Sequence, residues 1–382
     1  MTVCMRKSLC FVLGLLILLC LCACDPPESG AQDASLYFLN VGKADACVIK
    51  VDGKIAVVDT GTASSAPRLI GALRALGIER VDFLFLTHTH ADHTGGADAL
   101  FRVFDVGALY TSAYSVPKGK SVPADVLSER YGLPLTRLQA GDCVAFCGDA
   151  YFEVLGPREK IEEDDNDNSL VMKLHVNGRK VLLTGDMQQP EENSLIRANV
   201  DLSADVLKVG NHGNPDATGK RFAVSVYPSV AIFSTDTDED RDSANEKVKK
   251  HLVMAHQYRT QDYVTGIRVD LPRSGEIPVS AMEKPREDHA FEQIAVDKNS
   301  DTVAVKNSGT ERTDLSGWML ISKKTEMLYI FPEGTVLDAG QILTVSADGT
   351  GDLIWDAQNP IRKNDTVTLY DRYGNVCATG LT

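Results

Sequence analysis

The chain has 382 residues, of which 43% are hydrophobic and 24% charged, and its formal net charge at pH 7 is -14. These values are ordinary for a soluble globular protein and exclude collagen, a continuous coiled coil and wholesale disorder. The excess of acidic residues also excludes a broad basic surface for nucleic acid, so a phosphate-bearing substrate would have to be attracted locally. The length leaves room for one large domain or two smaller ones.

The first residues have the layout of a secretory signal peptide. Arg6 and Lys7 precede an apolar run from Leu9 to Leu21, which is shorter than the roughly 20 residues that span a bilayer. The sequence LCAC, ending at Cys24, resembles a bacterial lipoprotein signal, in which the last cysteine is lipidated. We therefore expect a signal peptide over residues 1–23, lipidation of Cys24, and a flexible tether over 24–34. A plain cleaved signal is the alternative, and both place the protein outside the cytoplasm, lipid-anchored on the membrane or secreted.

From Leu36 onward, strand and helix patterns alternate, as in a layered α/β domain. Helices are predicted from Pro67 to Leu76, with Gly77 as the stop, and from Ala97 to Val103. The run from Val81 to Thr87 is apolar enough for a strand that is buried on both faces. Further short apolar runs predict strands at Leu36–Val41, Ala46–Val51, Lys54–Val58, Ala108–Thr111, Tyr151–Leu155, Leu170–Val176, Lys180–Thr184, Val206–Val209 and Val230–Ser234.

The pattern changes near residue 286. The segment from Pro272 to Asp288 is rich in proline and mixed charge, which predicts a loop. Beyond it, short strand-like runs separated by turn residues predict a β-sandwich, with Trp318 and Trp355 as core residues. These runs are Thr302–Asn307, Trp318–Ser322, Gln341–Val345 and Thr366–Tyr370. We expect a first domain over 35–280, a linker over 281–290 and a second domain over 291–382.

A histidine cluster, THTHADHTGG from Thr87 to Gly96, directly follows the buried strand. Three imidazoles and a carboxylate within six residues are good ligands for zinc or a similar ion. His88 and His90 can point at one ion, while Asp92 and His93 turn toward a second. The segment therefore predicts a metal site at the carboxyl end of a strand.

This cluster resembles the signature of the metallo-β-lactamase fold. Three further segments, one before the cluster and two after it, resemble other motifs of that fold and occur in the same order along the chain. They are VVDTG around Asp59, LLTGD ending at Asp186, and LKVGNHG around His212. The resemblance implies a four-layer αββα fold with two divalent ions, zinc or manganese. It implies metal ligation by His88, His90, Asp92, His93, Asp186 and His212, and catalytic roles for Asp92, Asp186, His212 and Asp59.

Within that fold, segments Asn40–Ala46, Asp167–Val171 and Leu207–Val209 resemble the extracytoplasmic hydrolase domain of ComEC, the DNA-uptake channel. The chain departs from that branch at Asn211, where the branch usually has a histidine. That branch also lacks the fold's ordinary histidine before the segment that begins at Asn168. An acidic side chain from the run Asp164–Asn168, or water, would then complete the first ion's ligands, and a solvated loop is an equal alternative for this run.

Residues on the substrate side are less specified by the pattern. Lys208, Asn211 and Ser169 are expected to bind substrate, and Lys43, Lys118 and Lys120 are further candidates for receiving phosphate. For each lone lysine, an ordinary exposed charge is the alternative. Ser169 and Asp45 match family positions near the site, where they could support the ligands from behind, and simple turn and capping chemistry is the alternative.

Residues 291–382 resemble the lamin-tail domain, an immunoglobulin-like sandwich also found on bacterial surface nucleases and hydrolases. The similar segments are Asp314–Leu320, Phe331–Thr335, Leu337–Gly340, Asp352–Trp355 and Asn364–Asp371. The resemblance implies a binding or spacing module, with DNA, the cell surface or a protein as its partner.

Together these features predict an exported hydrolase of phosphodiesters, including DNA, in which two divalent ions share the attacking hydroxide. Two alternatives stay open. One is a hydrolase of small esters, lactones or phosphocholine-like groups. The other is a non-catalytic surface binding protein whose metal site has decayed, as the loss of two histidines relative to the family would suggest.

Overall fold

The computed structural model describes residues 31–117, 123–161, 164–287, 291 and 294–382. The predicted signal peptide, Cys24 and most of the tether lie outside these residues, as do Lys118 and Lys120. Among the described residues, no helix is both long and apolar enough to cross a membrane.

Two β-sheets form the centre of the first domain. Their strands are β1 Ala34–Leu39, β2 Cys47–Val51, β3 Lys54–Val58, β4 Arg80–Leu86, β5 Asp105–Ser112, β6 Leu135–Leu138, β7 Cys143–Cys147, β8 Ala150–Gly156, β9 Val171–Val176, β10 Arg179–Leu183, β11 Val206–Lys208, β12 Val230–Phe233, β13 His256–Arg259, β14 Gly266–Asp270 and β15 Val279–Ala281. One sheet has the order β15-β14-β1-β2-β3-β4-β5-β6, and the other has the order β13-β12-β11-β10-β9-β8-β7. Strands β3 to β6 run parallel in the first sheet, and β10 to β13 run parallel in the second.

Helices cover the outer face of each sheet. They are α1 Ala66–Ala75, α2 Ala91–Thr94, α3 Ala97–Val103, α4 Ala124–Tyr131, α5 Gln189–Arg197, α6 Lys220–Val226 and α7 Glu246–His251, with short 3-10 turns at Ala63–Ser65, Asp165–Asn168, Gly210–Gly213 and Thr260–Asp262. Helices α1, α3 and α4 pack on the first sheet, and α5, α6 and α7 pack on the second. The predicted four-layer αββα fold is therefore confirmed.

The alternation of side chains along β1 shows why its sequence is almost entirely apolar. Leu36 and Phe38 point into the core between the two sheets, whereas Tyr37 and Leu39 point into the core under the helices. Because both faces of this strand are buried, it lacks the polar positions of a half-exposed strand.

The second domain is all-β, as predicted. Its strands are β16 Ile294–Asp297, β17 Thr302–Lys306, β18 Thr313–Asp314, β19 Met319–Ser322, β20 Leu328–Ile330, β21 Val336–Leu337, β22 Ile342–Ser346, β23 Leu353–Ile354, β24 Thr366–Tyr370 and β25 Val376–Leu381. They form sheets β16-β17-β22-β23 and β20-β19-β24-β25 and a β18-β21 pair. Trp318 and Trp355 lie in the core of this domain, 0% and 2% exposed, so their predicted packing role is confirmed.

The second domain packs directly on helices α1 and α3 of the first. Met319, Ile321 and Tyr370 share a core with these helices. At Gly71, on α1, the backbone of Tyr373 comes so close that an added Cβ would lie 2.2 Å from its carbonyl carbon. Arg74 fixes the same contact, since its Nη1 donates to the carbonyl of Gly317 at 2.6 Å.

The structure contains helices and strands that the sequence pattern did not predict. In the first domain, helices α2, α4, α5, α6 and α7 and strands β6, β13 and β14 were not expected, and β15 lies inside the segment that was expected to be a loop. Strand β15 adds to the edge of the first sheet by pairing with β14, with Ile267 opposite Ala281. The domain bounds 35–280 and 291–382 stay a prediction.

Candidate metal centre

The candidate site lies where the parallel strands of both sheets end. Asp59 directly follows β3, and the histidine cluster follows β4 after one residue, Thr87. From the second sheet, Asp186 follows β10 and His212 follows β11. Because the carboxyl ends of parallel strands meet at one edge of a sheet, segments far apart in sequence arrive at a common cleft between the two sheets.

Four side chains bring their ligand atoms within 4.8 Å of one another: Asp92, His93, Asp186 and His212. Asp186 is the centre of the group. Its Oδ2 lies 3.1 Å from Nε2 of His93 and 3.1 Å from Nε2 of His212. Oδ2 of Asp92 lies 3.4 Å from the same nitrogen of His212. The predicted ligands from three separate segments are thus brought together.

The other nitrogen of each imidazole is already used. Nδ1 of His93 lies 2.8 Å from the carboxylate of Asp59, and Nδ1 of His212 lies 2.8 Å from the carbonyl of Ser234. A carbonyl or carboxylate oxygen accepts, so these Nδ1 atoms carry the protons, and Nε2 of each neutral ring is left with a lone pair directed at Asp186.

Lone pairs that face a carboxylate require a cation or additional protons between them. Within the described part of the chain, Nε2 of His93, Nε2 of His212 and Oδ1 of Asp186 are buried with no hydrogen-bond partner. Imidazole nitrogen and carboxylate oxygen are the donors that zinc and related divalent ions take. The residues therefore fit a divalent metal ion, with Asp92, His93, Asp186 and His212 as its holders.

The electrostatics of the metal-free cluster show how strongly it attracts positive charge. Burial opposes protonation of both histidines, but Asp186 with Asp59 holds the pKa of His93 well above its usual value. The same balance, led by Asp186, raises the pKa of His212 to about 9. Burial disfavours the charged form of Asp186, but His212 and His93 outweigh it and hold its pKa well below the usual value. Protons and a metal ion would compete for the same atoms.

Asp59 supports the cluster from behind. One carboxylate oxygen accepts the backbone N–H of Thr87 at 2.8 Å, and the other accepts the Thr87 hydroxyl as well as the His93 Nδ1 proton. Asp59 has a left-handed backbone, with φ of 59°, and is 1% exposed. Its position orients the ring of His93 and gives no access to a substrate, so the chemistry expected of Asp59 is limited to positioning.

His88 and His90 lie beside this cluster. Nε2 of His88 is 3.0 Å from Nδ1 of His90, and the rings of His88 and His93 have centroids 4.2 Å apart. Burial, together with His93 and His90, lowers the pKa of His88 well below its usual value, so this ring is neutral and available as a ligand. Ser169 joins the two halves, because its hydroxyl accepts the N–H of Asp186 at 3.1 Å and lies 3.2 Å from Nδ1 of His88.

Two carboxylates of the acidic run, Asp165 and Asp167, are already engaged by the surrounding loops. Asp165 accepts hydrogen bonds from the hydroxyls of Thr89 and Ser115 and from the N–H of Val116. Asp167 accepts the N–H of Gln188 at 2.9 Å. These carboxylates hold loops around the site, and neither belongs to the ligand groups found among the described residues.

Two lysines balance part of the negative charge. Lys208, 4% exposed, pairs with Asp45, donates to the carbonyl of Gly185 at 2.8 Å and lies 3.6 Å from Oδ1 of Asp186. Lys43 reaches the cluster from the open side, with Nζ 3.0 Å from Oδ2 of Asp92 and a side chain 25% exposed. The motif around residues 40–46 marked both Lys43 and Asp45, although neither was among the predicted ligands or catalytic residues.

The three residues that were expected to bind substrate, Lys208, Ser169 and Asn211, instead contact other protein groups in the structure. Lys208 lies beneath the ligands, and Ser169 is 0% exposed between His88 and Asp186. Asn211 adopts a left-handed backbone, with φ of 43°, and its side chain donates to Asp216 at 3.1 Å. Asparagine tolerates this conformation better than most residues, so Asn211 shapes the turn that presents His212.

Comparisons with known proteins agree with this geometry. Residues 39–241 match the family model of the metallo-beta-lactamase superfamily, and residues 284–380 match that of the lamin tail domain. The chain is 31% identical to ComE operon protein 3 of Bacillus subtilis over 50% of its own length and 24% of that protein. It is 26% identical to competence protein ComA of Neisseria gonorrhoeae, over 64% of its own length and 32% of that protein.

The chain thus spans about a quarter to a third of the curated relatives that it matches, and both relatives support the predicted ComEC-like branch. Among solved structures, a metallo hydrolase from Ignicoccus hospitalis is similar, with 13% identity, a TM-score of 0.39, and coverage of 65% of this chain and 99% of that one. The match of the first domain to the family model covers more than half of the chain and includes all the residues of the cluster. The chain belongs to the metallo-β-lactamase superfamily of metal-dependent hydrolases and carries a C-terminal lamin tail domain.

Proposed function

We propose that this protein is an exported, membrane-anchored phosphodiesterase that uses divalent ions held by the described cluster. The observation that carries the metal-dependent part is the pair of imidazole Nε2 atoms, both 3.1 Å from one oxygen of Asp186, with both Nδ1 atoms engaged elsewhere. His88 and His90 lie beside this group, and we expect them to hold a second ion.

Divalent ions bound here would supply Lewis acidity and charge neutralisation for the attack of water on a phosphorus or carbonyl centre. The protein's own contribution is positioning. Asp59 and the Ser234 carbonyl fix the rings of His93 and His212, and Lys208 neutralises Asp45 beneath the ligands. Lys43 is placed at the open side, where its ammonium group can meet a negatively charged oxygen of the substrate.

The phosphodiester assignment rests on the resemblance to the hydrolase domain of ComEC, and the two relatives, ComE operon protein 3 and competence protein ComA, support that branch. DNA is one candidate substrate. A specific observation favours a smaller one. The loop over residues 236–242 carries five carboxylates, and Glu239 accepts the backbone N–H of Lys43 at 2.9 Å. This acidic rim beside the mouth of the site repels a polyanion. A second candidate is therefore hydrolysis of a small ester or diester, such as a phosphocholine-like group, whose cationic end the rim would favour.

Turnover of bis(p-nitrophenyl) phosphate, single-stranded DNA and p-nitrophenyl phosphocholine tests these proposals. The full chain is assayed with zinc or manganese, alongside metal content by elemental analysis. Asp186→Asn and His212→Gln should abolish metal-dependent turnover. The matched controls are Asp201→Asn, whose carboxylate is 64% exposed and pairs with Lys180, and His175→Gln, which bonds to Glu153 away from the cluster. Both should keep near-normal rates.

Each outcome separates the candidates. Cleavage of DNA would establish a nuclease, whereas turnover of the small diesters alone would favour the second candidate. Bound metal with no turnover of any substrate would instead support a non-catalytic binding protein. Activity that survives both cluster substitutions would contradict the assignment of the site.

The proposed membrane anchor rests on the sequence near Cys24. Expression of the full chain in a bacterial host with labelled palmitate tests it. Label is expected on the wild-type protein and absent from Cys24→Ala, with Cys47→Ala, a buried thiol of the folded part, as the labelled control. Release of an unlabelled protein into the medium would indicate a plain cleaved signal.

A further inference from the structure

An apolar patch lies on the outer side of the second sheet, where α6 and α7 pack. It consists of Val224 and Tyr227 near the end of α6, and Val253 and Met254 just after α7. Their exposed fractions are 64%, 69%, 73% and 72%, and they line a cavity of about 430 Å³. Single exposed apolar residues are ordinary, but four large ones on adjacent turns form a contiguous patch of the kind that marks an interaction surface.

The patch lies at the amino edge of the sheet. Tyr227 comes shortly before β12, and Met254 comes shortly before β13, both of which run parallel to β10 and β11. Asp186 and His212 follow the opposite, carboxyl ends of β10 and β11. A surface that covers the patch would therefore leave the mouth of the metal site open.

The described chain begins at this same edge. Gln32 exchanges two hydrogen bonds of 2.8 Å with Asn177, in the turn that leads into β10. The chain continues from here toward the apolar run Leu9–Leu21 and Cys24. An anchor in that segment would hold the amino edge of the sheet, and with it the patch, toward a membrane.

Basic side chains border the patch in an otherwise acidic protein. Lys220 and Lys250 line the same cavity and have no ion-pair partner among the described residues. Nearby carboxylates are already engaged, since Asp201 pairs with Lys180 and Asp205 pairs with Arg179. Apolar side chains flanked by lysines match the chemistry of a bilayer surface with anionic headgroups.

We propose that the surface formed by Val224, Tyr227, Val253, Met254, Lys220 and Lys250 rests on an anionic lipid bilayer. This inference uses the proposed amino-terminal anchor for its geometry. The apolar tips enter the boundary between headgroups and acyl chains, and the lysines meet lipid phosphates. The metal site then faces away from the membrane, toward substrates in the surrounding medium.

Hydrogen exchange of the full chain on vesicles tests the proposal. The chain is floated with vesicles of phosphatidylglycerol or of phosphatidylcholine, and exchange is followed by mass spectrometry. We expect exchange over residues 224–228 and 252–256 to slow by about tenfold on phosphatidylglycerol relative to phosphatidylcholine. The double variants Val253→Ser/Met254→Ser and Lys220→Glu/Lys250→Glu should lose this protection. The control is Val264→Ser, which changes a side chain 90% exposed at the opposite edge.

Every outcome bears on one of the two proposals. A chain that floats without protection of the patch keeps the anchor and overturns the docking surface. A chain that floats with neither vesicle overturns both. Protection that appears without lipid and grows with protein concentration identifies a second copy of the chain as the occupant, and also overturns the proposal. Unchanged circular dichroism of each variant excludes misfolding as the cause of lost protection.

Discussion

At the scale of single residues, the site depends on side chains whose orientations are fixed by hydrogen bonds to their neighbours. The rings of His93 and His212 cannot turn freely, because Asp59 and the Ser234 carbonyl occupy their Nδ1 atoms. The carboxylate of Asp186 cannot move away, because Ser169 holds its backbone. Such preorganisation lets the cluster accept an ion without rearranging the cleft.

Among the residues of the site, Lys43 should interact most directly with a negatively charged substrate. Replacing it in Lys43→Met removes the cation at the open side, so KM for bis(p-nitrophenyl) phosphate should rise about tenfold, or roughly 1.4 kcal/mol, with a smaller change in kcat. Steady-state kinetics at saturating metal check this. Lys54→Met, which breaks a surface pair with Asp82, is the matched control. An unchanged KM would show that Lys43 serves only to hold Asp92.

Glu192 should make the stability of the fold depend on pH. Burial raises its pKa to about 7, although one oxygen accepts the N–H of Gly219. A raised pKa favours the protonated form in the folded state. Its stabilising effect is therefore complete below the unfolded pKa of about 4.5 and is lost as the pH rises through 7.

The variant Glu192→Gln cannot ionise, so its stability should fall less between pH 5 and pH 8 than that of the wild type. The expected difference is on the order of 2 kcal/mol in the free energy of unfolding. Urea titrations at pH 5, 6, 7 and 8, with metal held constant, measure it. Glu79→Gln, at an exposed position, should follow the wild-type profile. A parallel pair of profiles for Glu192→Gln and the wild type would contradict the prediction.

At the scale of elements, helix α1 packs against both the first sheet and the second domain. Leu69 and Leu73 pack inward on the first sheet, while Gly71 meets the backbone of the second domain. The pattern around Pro67–Leu76 predicted the helix, but the sequence around Gly71 gave no sign that another domain covers it. A glycine within a helix costs about 1 kcal/mol relative to alanine, and here close backbone contact explains its presence.

Gly71→Ala tests this contact. Alanine should favour the isolated helix, yet its Cβ would meet the carbonyl carbon of Tyr373 at 2.2 Å, so the two domains must separate or shift. We expect faster proteolysis between the domains and separate thermal transitions in calorimetry. Ala75→Ser, on the same helix, should unfold as the wild type does. A Gly71→Ala protein with raised stability would show that the contact can relax without cost.

The sequence predicted strands better than helices, and the reasons are physical. Long apolar runs such as Val81–Thr87 mark buried strands without any knowledge of their partners. Helix α5 was missed because Glu191 and Glu192 lie on its buried side, so its inward face does not read as apolar. Helix α4 was missed because its sequence contributes only Ala124 and Leu127 to the core.

The same distinction applies to the site. Close spacing in sequence identified His88, His90, Asp92 and His93, and strand-end motifs identified Asp186 and His212. The partnership of Lys208 with Asp45, which are 163 residues apart, has no local pattern, so a buried counter-charge resembled a lysine for substrate. The positive φ angles of Asn211 and His212, which lie in one turn, were equally impossible to predict from the residue types alone.

At the scale of the whole molecule, metal binding should stabilise the fold. Ions that bind the folded state alone contribute RT ln(1 + [L]/Kd), or about 4 kcal/mol at 1,000 times Kd. Zinc or manganese should therefore raise the melting temperature of the first domain by several degrees, and EDTA should reverse the change. Asp186→Asn should lose most of this response, whereas His175→Gln should keep it. Scanning calorimetry measures these melting temperatures. An equal rise on metal addition in both variants would show that the ions bind elsewhere.

The pairing of β1 with β14 determines when the first sheet can close during synthesis. Ser35 lies opposite Asp270, so the chain closes the first sheet only when residues far along the sequence arrive. A growing chain that has not reached Gly266 leaves β1 as an unpaired edge with apolar side chains on both faces. Pairing across such a separation is slow. The last strands of this sheet are thus followed directly in the sequence by the domain that packs on its helices, so both assemble only after Gly266 has been synthesised.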